Sequence, residues 1–203
     1  MSESSLSIGT DGLPRCRWCG FAPEFEPYHD REWGFPVADD QRLFEKLSLE
    51  LFQSGLSWRT ILNKRDAFRA GFAQFELSRV AAFNEGDVTR LLADPGIVRH
   101  RGKIEAVIQN ARAGLAVQQT FGTLAAYFWQ FEILPKKNEP ASEKSAPCVA
   151  LAKDLKKRQF KFVGPTTVYA FMQAAGLVND HDRTCTIHAL AEAARRAFVL
   201  PKT

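Results

Sequence analysis

The feature that most limits how this chain can fold is the placement of its soft metal ligands. Cys16 and His29 lie near one end, His181 and Cys185 near the other, and the stretch between them holds little else of that chemistry. A tetrahedral Cys2His2 zinc site drawn from both pairs would tie the two ends together and close the intervening chain into one unit. The spacing His181-x-x-x-Cys185 suits one half of such a site, whereas Cys16 to His29 is a wide gap for two ligands on one loop. Cys19 and His188 compete, so six residues contend for four places. Four protein ligands leave no open position for water, which points to a structural ion and away from a catalytic one.

The chain has 203 residues, enough for one domain or two small lobes. With 16 Phe and 4 Trp, many large rings must find places in a core. A formal charge of +4 is compatible with a polyanionic partner without requiring one. The first residues, MSESSLSIGTDG, contain no apolar signal core. The apolar run VYAFMQAAGLV is interrupted by Gln173 and is too short to cross a bilayer. A cytoplasmic location, reduced thiols and no membrane partner are expected, with a monomer as the default.

Residues 1–14 read as a disordered leader and 15–37 as an aromatic loop. Helices then dominate. Asp39 or Asp40 can cap a helix in which Leu43, Phe44, Leu47 and Leu51 recur at helical spacing, and Gly55 ends it. Ser57 can cap a helix carrying Trp58, Ile61, Leu62, Phe68 and Phe72. Further helices are predicted near 78–83, 87–93, 101–119, 123–131, 149–158 and 165–175. Residues 134–147 read as a surface loop, and 186–203 as a tail with a helix near 189–198. No segment alternates as a strand would, so the expected fold is all-α, with one helical domain over 15–185.

Two constellations could carry chemistry besides the metal ligands. In LKKRQFKFVGPTTVYAFMQAAG, Gly164 permits close backbone approach and Pro165 suits the first turn of a helix. Free N–H groups there could cradle a phosphate, with Lys156, Lys157, Arg158 and Lys161 nearby; a plain helical hairpin with a solvated basic face reads the same way. Glu50 lies at the margin of the apolar stripe of its helix, with Arg42, Glu45 and Lys46 pointing elsewhere. A carboxylate beside buried apolar surface is costly unless something needs it.

The segments RCRW, YHDREWGFP, LFEKLSLE with QSGLSW, ILNKR, GIVRHRGKI and FKFVGPTTVYAFMQAAGLVNDH, with the terminal H-x3-C, resemble the DNA-3-methyladenine glycosylase I family of the helix-hairpin-helix superfamily. The resemblance spans about residues 15–185. It implies hydrolysis of the N-glycosidic bond of 3-methyladenine in double-stranded DNA after base flipping, leaving an abasic site without a lyase step. It implies one structural zinc on Cys16, His29, His181 and Cys185. Glu50 would be the catalytic carboxylate contacting the base, with Tyr28 adding a polar contact, Trp58 stacking, and Trp18 and Phe25 helping to wall the pocket. Gly55 and Leu56 would fill the gap in the duplex, and Lys161, Gly164 and Thr166 would hold the backbone. Where the family commonly has a small residue after the motif Glu, this chain has Leu51 and then Phe52. Phe25 stands where Tyr is common, and Ser54 where Ala is common. Bulk at Leu51 and Phe52 is expected to bear on base selectivity, and it motivates a second reading, a glycosylase-like protein that binds damaged DNA without cutting.

Overall fold

A computed structural model describes residues 6–134 and 141–201. The fold is helical, as expected, apart from one small ribbon. Leu6–Ile8 (β1) pairs antiparallel with Pro14–Cys16 (β2), with Leu6 opposite Cys16. The expectation of a disordered leader is therefore corrected from Leu6 onward. Gly12 turns the chain with a positive φ, and Gly9 and Leu13 bond across the turn, so the short ribbon delivers Cys16 at a fixed place. The aromatic stretch after it is also more regular than a loop. It forms a 3-10 turn, Arg17–Phe21, and a helix, Phe25–Arg31 (α1).

Asp40–Gln53 (α2) is the central helix. Asp39 caps it by accepting from the Arg42 N–H at 2.8 Å. Asp40 has a different task. Its carboxylate accepts from the N–H groups of Leu124 (2.8 Å) and Ala125 (2.9 Å) and from Gln118 (2.6 Å), joining three helices. The next stretch is broken where one helix was expected. Trp58–Asn63 (α3) and Arg65–Gly71 (α4) meet at Lys64, whose φ and ψ are −99° and 2° and whose ammonium is drawn to the carbonyls of Pro95 and Gly96. Leu77–Ala81 (α5) and Glu85–Ala93 (α6) follow, the latter opened by a capping box at Asn84. Arg101–Phe121 (α7) is the long helix, and Leu124–Phe128 (α8) follows it. Ala146–Lys157 (α9) and Pro165–Ala174 (α10) form the expected hairpin. The surface loop falls partly on 135–140, outside the described residues. The tail forms Thr186–Ala197 (α11), longer at its start than expected, and Phe198 packs on Trp129 at 4.4 Å.

Helix α2 packs against α3, α7, α8 and α10, so every residue from Leu43 to Phe52 is buried. Phe52 meets Phe68 at 4.6 Å, and Phe72 stacks on Phe75 at 5.6 Å, which places several of the phenylalanines in one layer. At the end of α10 the chain presses on the N-terminal segment. A Cβ on Gly176 (φ +76°) would lie 2.4 Å from the Phe35 carbonyl, so only glycine fits there. Gly34 and Val37 donate to the carbonyls of Gln173 and Ala175 across the same contact. That contact brings the start of the chain, including α1, against its C-terminal third.

Asp40→Ala should lower stability by about 2 kcal/mol or more, since three donors lose a charged acceptor. Asp39→Ala should cost about 1 kcal/mol, the usual loss for a single cap. Denaturant unfolding of both variants checks the order.

Candidate functional site: a buried carboxylate slot beside a Cys2His2 cluster

The four ends-of-chain ligands converge. The donor atoms of Cys16, His29, His181 and Cys185 all lie within 4.8 Å of one another, and all four residues are buried. His29 Nε2 and His181 Nδ1 are 3.2 Å apart, and each cysteine Sγ lies 3.6 Å from a histidine nitrogen. A tetrahedron with metal–N near 2.0 Å and metal–S near 2.3 Å has edges of about 3.3–3.8 Å, which these pairs approach, while Cys185 Sγ to His181 Nδ1 is 3.9 Å. The other ring nitrogens are also placed. His29 Nδ1 bonds Asp30 at 2.7 Å, and His181 Nε2 bonds the Trp33 carbonyl at 3.0 Å. Asp30 is fixed in turn by the buried guanidinium of Arg15 at 2.6 Å. Such outer partners orient imidazole ligands and select the tautomer. The four residues could hold one metal ion. Cys19 stays out of the group, a buried thiol pushed up to about 12 by desolvation. His188 lies in the first turn of α11 and is likewise not one of the four.

The slot lies on the other face of α1. His29 faces the cluster; Tyr28, one residue earlier and about 100° around the helix, faces α2. A narrow cavity there is lined by Tyr28, Glu50 and Trp58, with Glu32, Arg42, Glu45, Lys46, Leu49, Arg65 and Ala174 completing it. The Tyr28 and Trp58 rings are 5.1 Å apart and tilted. The Trp58 indole N–H is buried with no hydrogen-bond partner among the described residues, an uncommon state for a polar atom at a cavity.

Glu50 is buried, not marginal. Desolvation raises its carboxyl to about 8, opposed only by the charge of Lys46. Burial likewise lowers the Lys46 ammonium to about 8, and the Tyr28 hydroxyl is pushed well up by burial and by the nearby charge of Glu50. The expectation that Arg42, Glu45 and Lys46 point elsewhere is corrected. Glu45 and Lys46 are buried and line the slot, because neighbouring elements surround α2 and leave it no solvent face. Glu32 receives Arg42 at 3.1 Å and Arg65 at 2.8 Å, while Glu45 receives Arg42 and Arg69. The signal for Lys46 was present in the sequence, because residues four apart share a helix face.

Other predicted residues fall in several places. Trp18 and Phe25 do not line the slot. Trp18 sits one ring behind Tyr28, 6.3 Å away, and packs edge-on against His29 and Trp33, each at 5.2 Å, while Phe25 lies against Trp18 at 5.7 Å. Apolar contact with the buried cluster outcompetes the slot for these rings. Leu51 and Phe52 also face away, into the core. Gly55 forms an open turn with φ +79°, and Leu56 beside it is 42% exposed. Lys161 and Thr166 are exposed, and Gly164 is the N-cap residue of α10, which starts without a side-chain cap.

A family model described as methyladenine glycosylase matches residues 18–188. DNA-3-methyladenine glycosylase 1 of Escherichia coli K12 is 48% identical over 179 residues, covering 85% of this chain and 96% of the relative. A crystal structure of 3-methyladenine DNA glycosylase I aligns with a TM-score of 0.77 at 49% identity, over 85% of this chain and 98% of that one. A Tyr-to-Phe variant of 3-methyladenine DNA glycosylase I in complex with 3-methyladenine aligns with a TM-score of 0.79 at 35% identity, over 85% and 96%.

The raised carboxyl at Glu50 has a consequence for stability. A group raised on folding favours the native state below its unfolded value, near 4.5, and that contribution is lost as pH rises to about 8. Glu50→Gln should therefore melt near the parent temperature at pH 5 and several degrees higher at pH 8 to 9. Equal shifts at both pH values, by calorimetry, would contradict the burial argument.

Proposed function

The chain belongs to the methyladenine glycosylase family, and from that premise we propose that it removes 3-methyladenine from alkylated double-stranded DNA by hydrolysing the N-glycosidic bond. The observation that carries the reading is Glu50, a carboxylate buried in a slot walled by the Tyr28 and Trp58 rings.

The chemistry follows from the charge of the lesion. Methylation at N3 leaves the base cationic while it is attached to the sugar. When the bond from C1′ to the base nitrogen breaks, the electron pair goes to the base and neutralises it. Water adds to C1′ and loses a proton, which leaves an abasic site. The leaving group needs little acid catalysis, so the protein's tasks are extrusion, recognition and stabilisation of the positive charge developing on the sugar. Electron-rich ring faces attract a cation, and an ionised carboxylate does so more strongly at low dielectric. Glu50 is neutral in the empty slot below about pH 8. An arriving cation favours its ionised form, so capture of the lesion couples to loss of a proton. An unmodified, uncharged adenine gives no such gain. The Tyr28 hydroxyl is available to the edge of the base, and the Trp58 ring face to stack on it.

The α9–α10 pair would act as a helix-hairpin-helix element, with the open start of α10 at Gly164 and Thr166, and Lys161, against a backbone phosphate. Leu56 would enter the duplex as the base leaves. The Cys2His2 cluster would hold one zinc ion through Cys16 Sγ, His29 Nε2, His181 Nδ1 and Cys185 Sγ. Four protein donors fit a structural ion, which supplies folding free energy and no reaction step. The reading as a binder that does not cut loses its motive, because Leu51 and Phe52 sit in the core and do not line the slot.

Incubating methylated DNA with the protein should release free 3-methyladenine, and Glu50→Gln should slow release by about a hundredfold or more. No release from folded, metal-replete protein, or full activity in the variant, would overturn the assignment. Elemental analysis should give about one zinc per chain. Cys185→Ala should lose the metal and lower the melting temperature markedly; a metal-free protein that melts as the parent does would refute the staple.

A further inference from the structure

Lys103, in the first turn of α7, points back into the protein. It is 6% exposed. Its Nζ donates to the carbonyl of Phe52 at 2.9 Å and to that of Ser54 at 2.6 Å. These carbonyls belong to the end of α2, where helical C=O groups lack intrahelical partners and the helix dipole favours a cation. His100 fixes the base of this arrangement. Its Nδ1 accepts from the Lys103 N–H at 3.2 Å as the cap of α7.

The segment being held is short and otherwise weakly supported. Leu56 N–H bonds Gln53 O at 2.7 Å, closing a tight turn over Ser54 and Gly55. Gly55 has φ +79° and no atom within 4 Å of a would-be Cβ, so neighbouring packing does not fix the turn. Ser57 then caps α3 through Thr60, and Trp58 is the first residue of that helix. Leu56 is therefore an apolar side chain held out at the protein surface between the carboxylate helix and the stacking indole.

We propose that Lys103 is a positioning residue for base extrusion, its ammonium clamping the Phe52–Ser54 carbonyls so that the turn presents Leu56 rigidly to the duplex. The inference rests on Leu56 acting as the wedge. A wedge must push against stacked bases, and unstacking costs a few kcal/mol per step. A turn free to swing would absorb that push, whereas a turn tied through two carbonyls just ahead of Leu56 transmits it. Lys103 touches neither the slot nor the base, so its effect should appear only where a stacked, paired nucleotide has to be displaced.

Two duplexes separate this role from a general one, the first with the methylated adenine opposite thymine and the second with it opposite an abasic site. For the parent, Lys103→Met, Leu56→Ala and the double variant, the quantity to compare is the ratio of kcat/KM on the paired lesion to that on the unpaired lesion. Lys103→Met should lower the ratio about tenfold, as small misplacements of an active group do. Lys103→Arg should restore part of it. The double variant should fall no further than the worse single one, because both act through the same turn. Lys103→Gln, which keeps a donor at this depth, is measured alongside and should lie between Met and the parent. An equal loss on both duplexes, or no loss on either, would overturn the clamp. A ratio unchanged in Leu56→Ala would instead sink the wedge, while continued release from the unpaired lesion would leave the glycosylase reading standing.

Discussion

From Leu43 to Phe52 helix α2 has no solvent face, and much of the site follows from that single constraint. Helices α3, α7, α8 and α10 cover it, so its charged residues must be answered inside the protein. Unpaired buried charge is costly, by several kcal/mol even after relaxation. Glu45 is answered by two arginines and Glu32 by Arg42 and Arg65. Glu50 receives no guanidinium among the described residues, and its carboxyl rises to about 8. The residue left short of a partner is the one beside Tyr28 and Trp58. A cationic base, as proposed above, would supply Glu50 with an opposite charge.

The Cys2His2 cluster and the slot are mechanically connected through α1. His29 reaches the cluster and Tyr28 reaches the slot, from adjacent positions on one turn. Helix α1 has only seven residues, too few to hold itself in place by its own hydrogen bonds. Its position is set by Arg15 and Asp30 on one side and by the donor group on the other. Trp18 and Trp33 fill the space between, edge-on at 5.2 Å. Whatever fixes the four donors therefore fixes the angle at which the Tyr28 ring meets Trp58. That link gives donors far apart in sequence a structural route to a slot that uses none of them directly.

The sequence made the helices and the ligand group legible for clear physical reasons. Capping residues and apolar spacing act locally, and Asp39 and Ser57 mark the starts where the structure has them. Rare residue types narrowed the donors to six, and the convergence of their donor atoms singles out four. Other features depended on tertiary contacts that periodicity does not encode. Leu6–Ile8 became a strand because Pro14–Cys16 lay opposite it. The break at Lys64 came from carbonyls thirty residues away. Lys46 and Glu45 were misplaced because a stripe argument assumes that one helix face meets water, and α2 has none. Leu51 and Phe52, conspicuous as departures in sequence, proved to be core residues packed on Phe68 and its neighbours.

The slot as it stands is too narrow for a purine, since its lining side chains nearly meet. Among those side chains, Lys46 is the one whose charge acts on Glu50. Its ammonium lies 5.8 Å from the Tyr28 ring centre and 4.0 Å from Glu32. A cationic base between Tyr28 and Trp58 would compete with it for the same ring face and for Glu50. The flexible lysine stem allows the head group to withdraw toward Glu32, a carboxylate already at the slot's edge. A neutral base offers no Coulombic gain to offset moving that charge. If the slot takes the cationic base as proposed above, Lys46 would favour a charged lesion over neutral adenine, a discrimination that the aromatic rings alone would not provide.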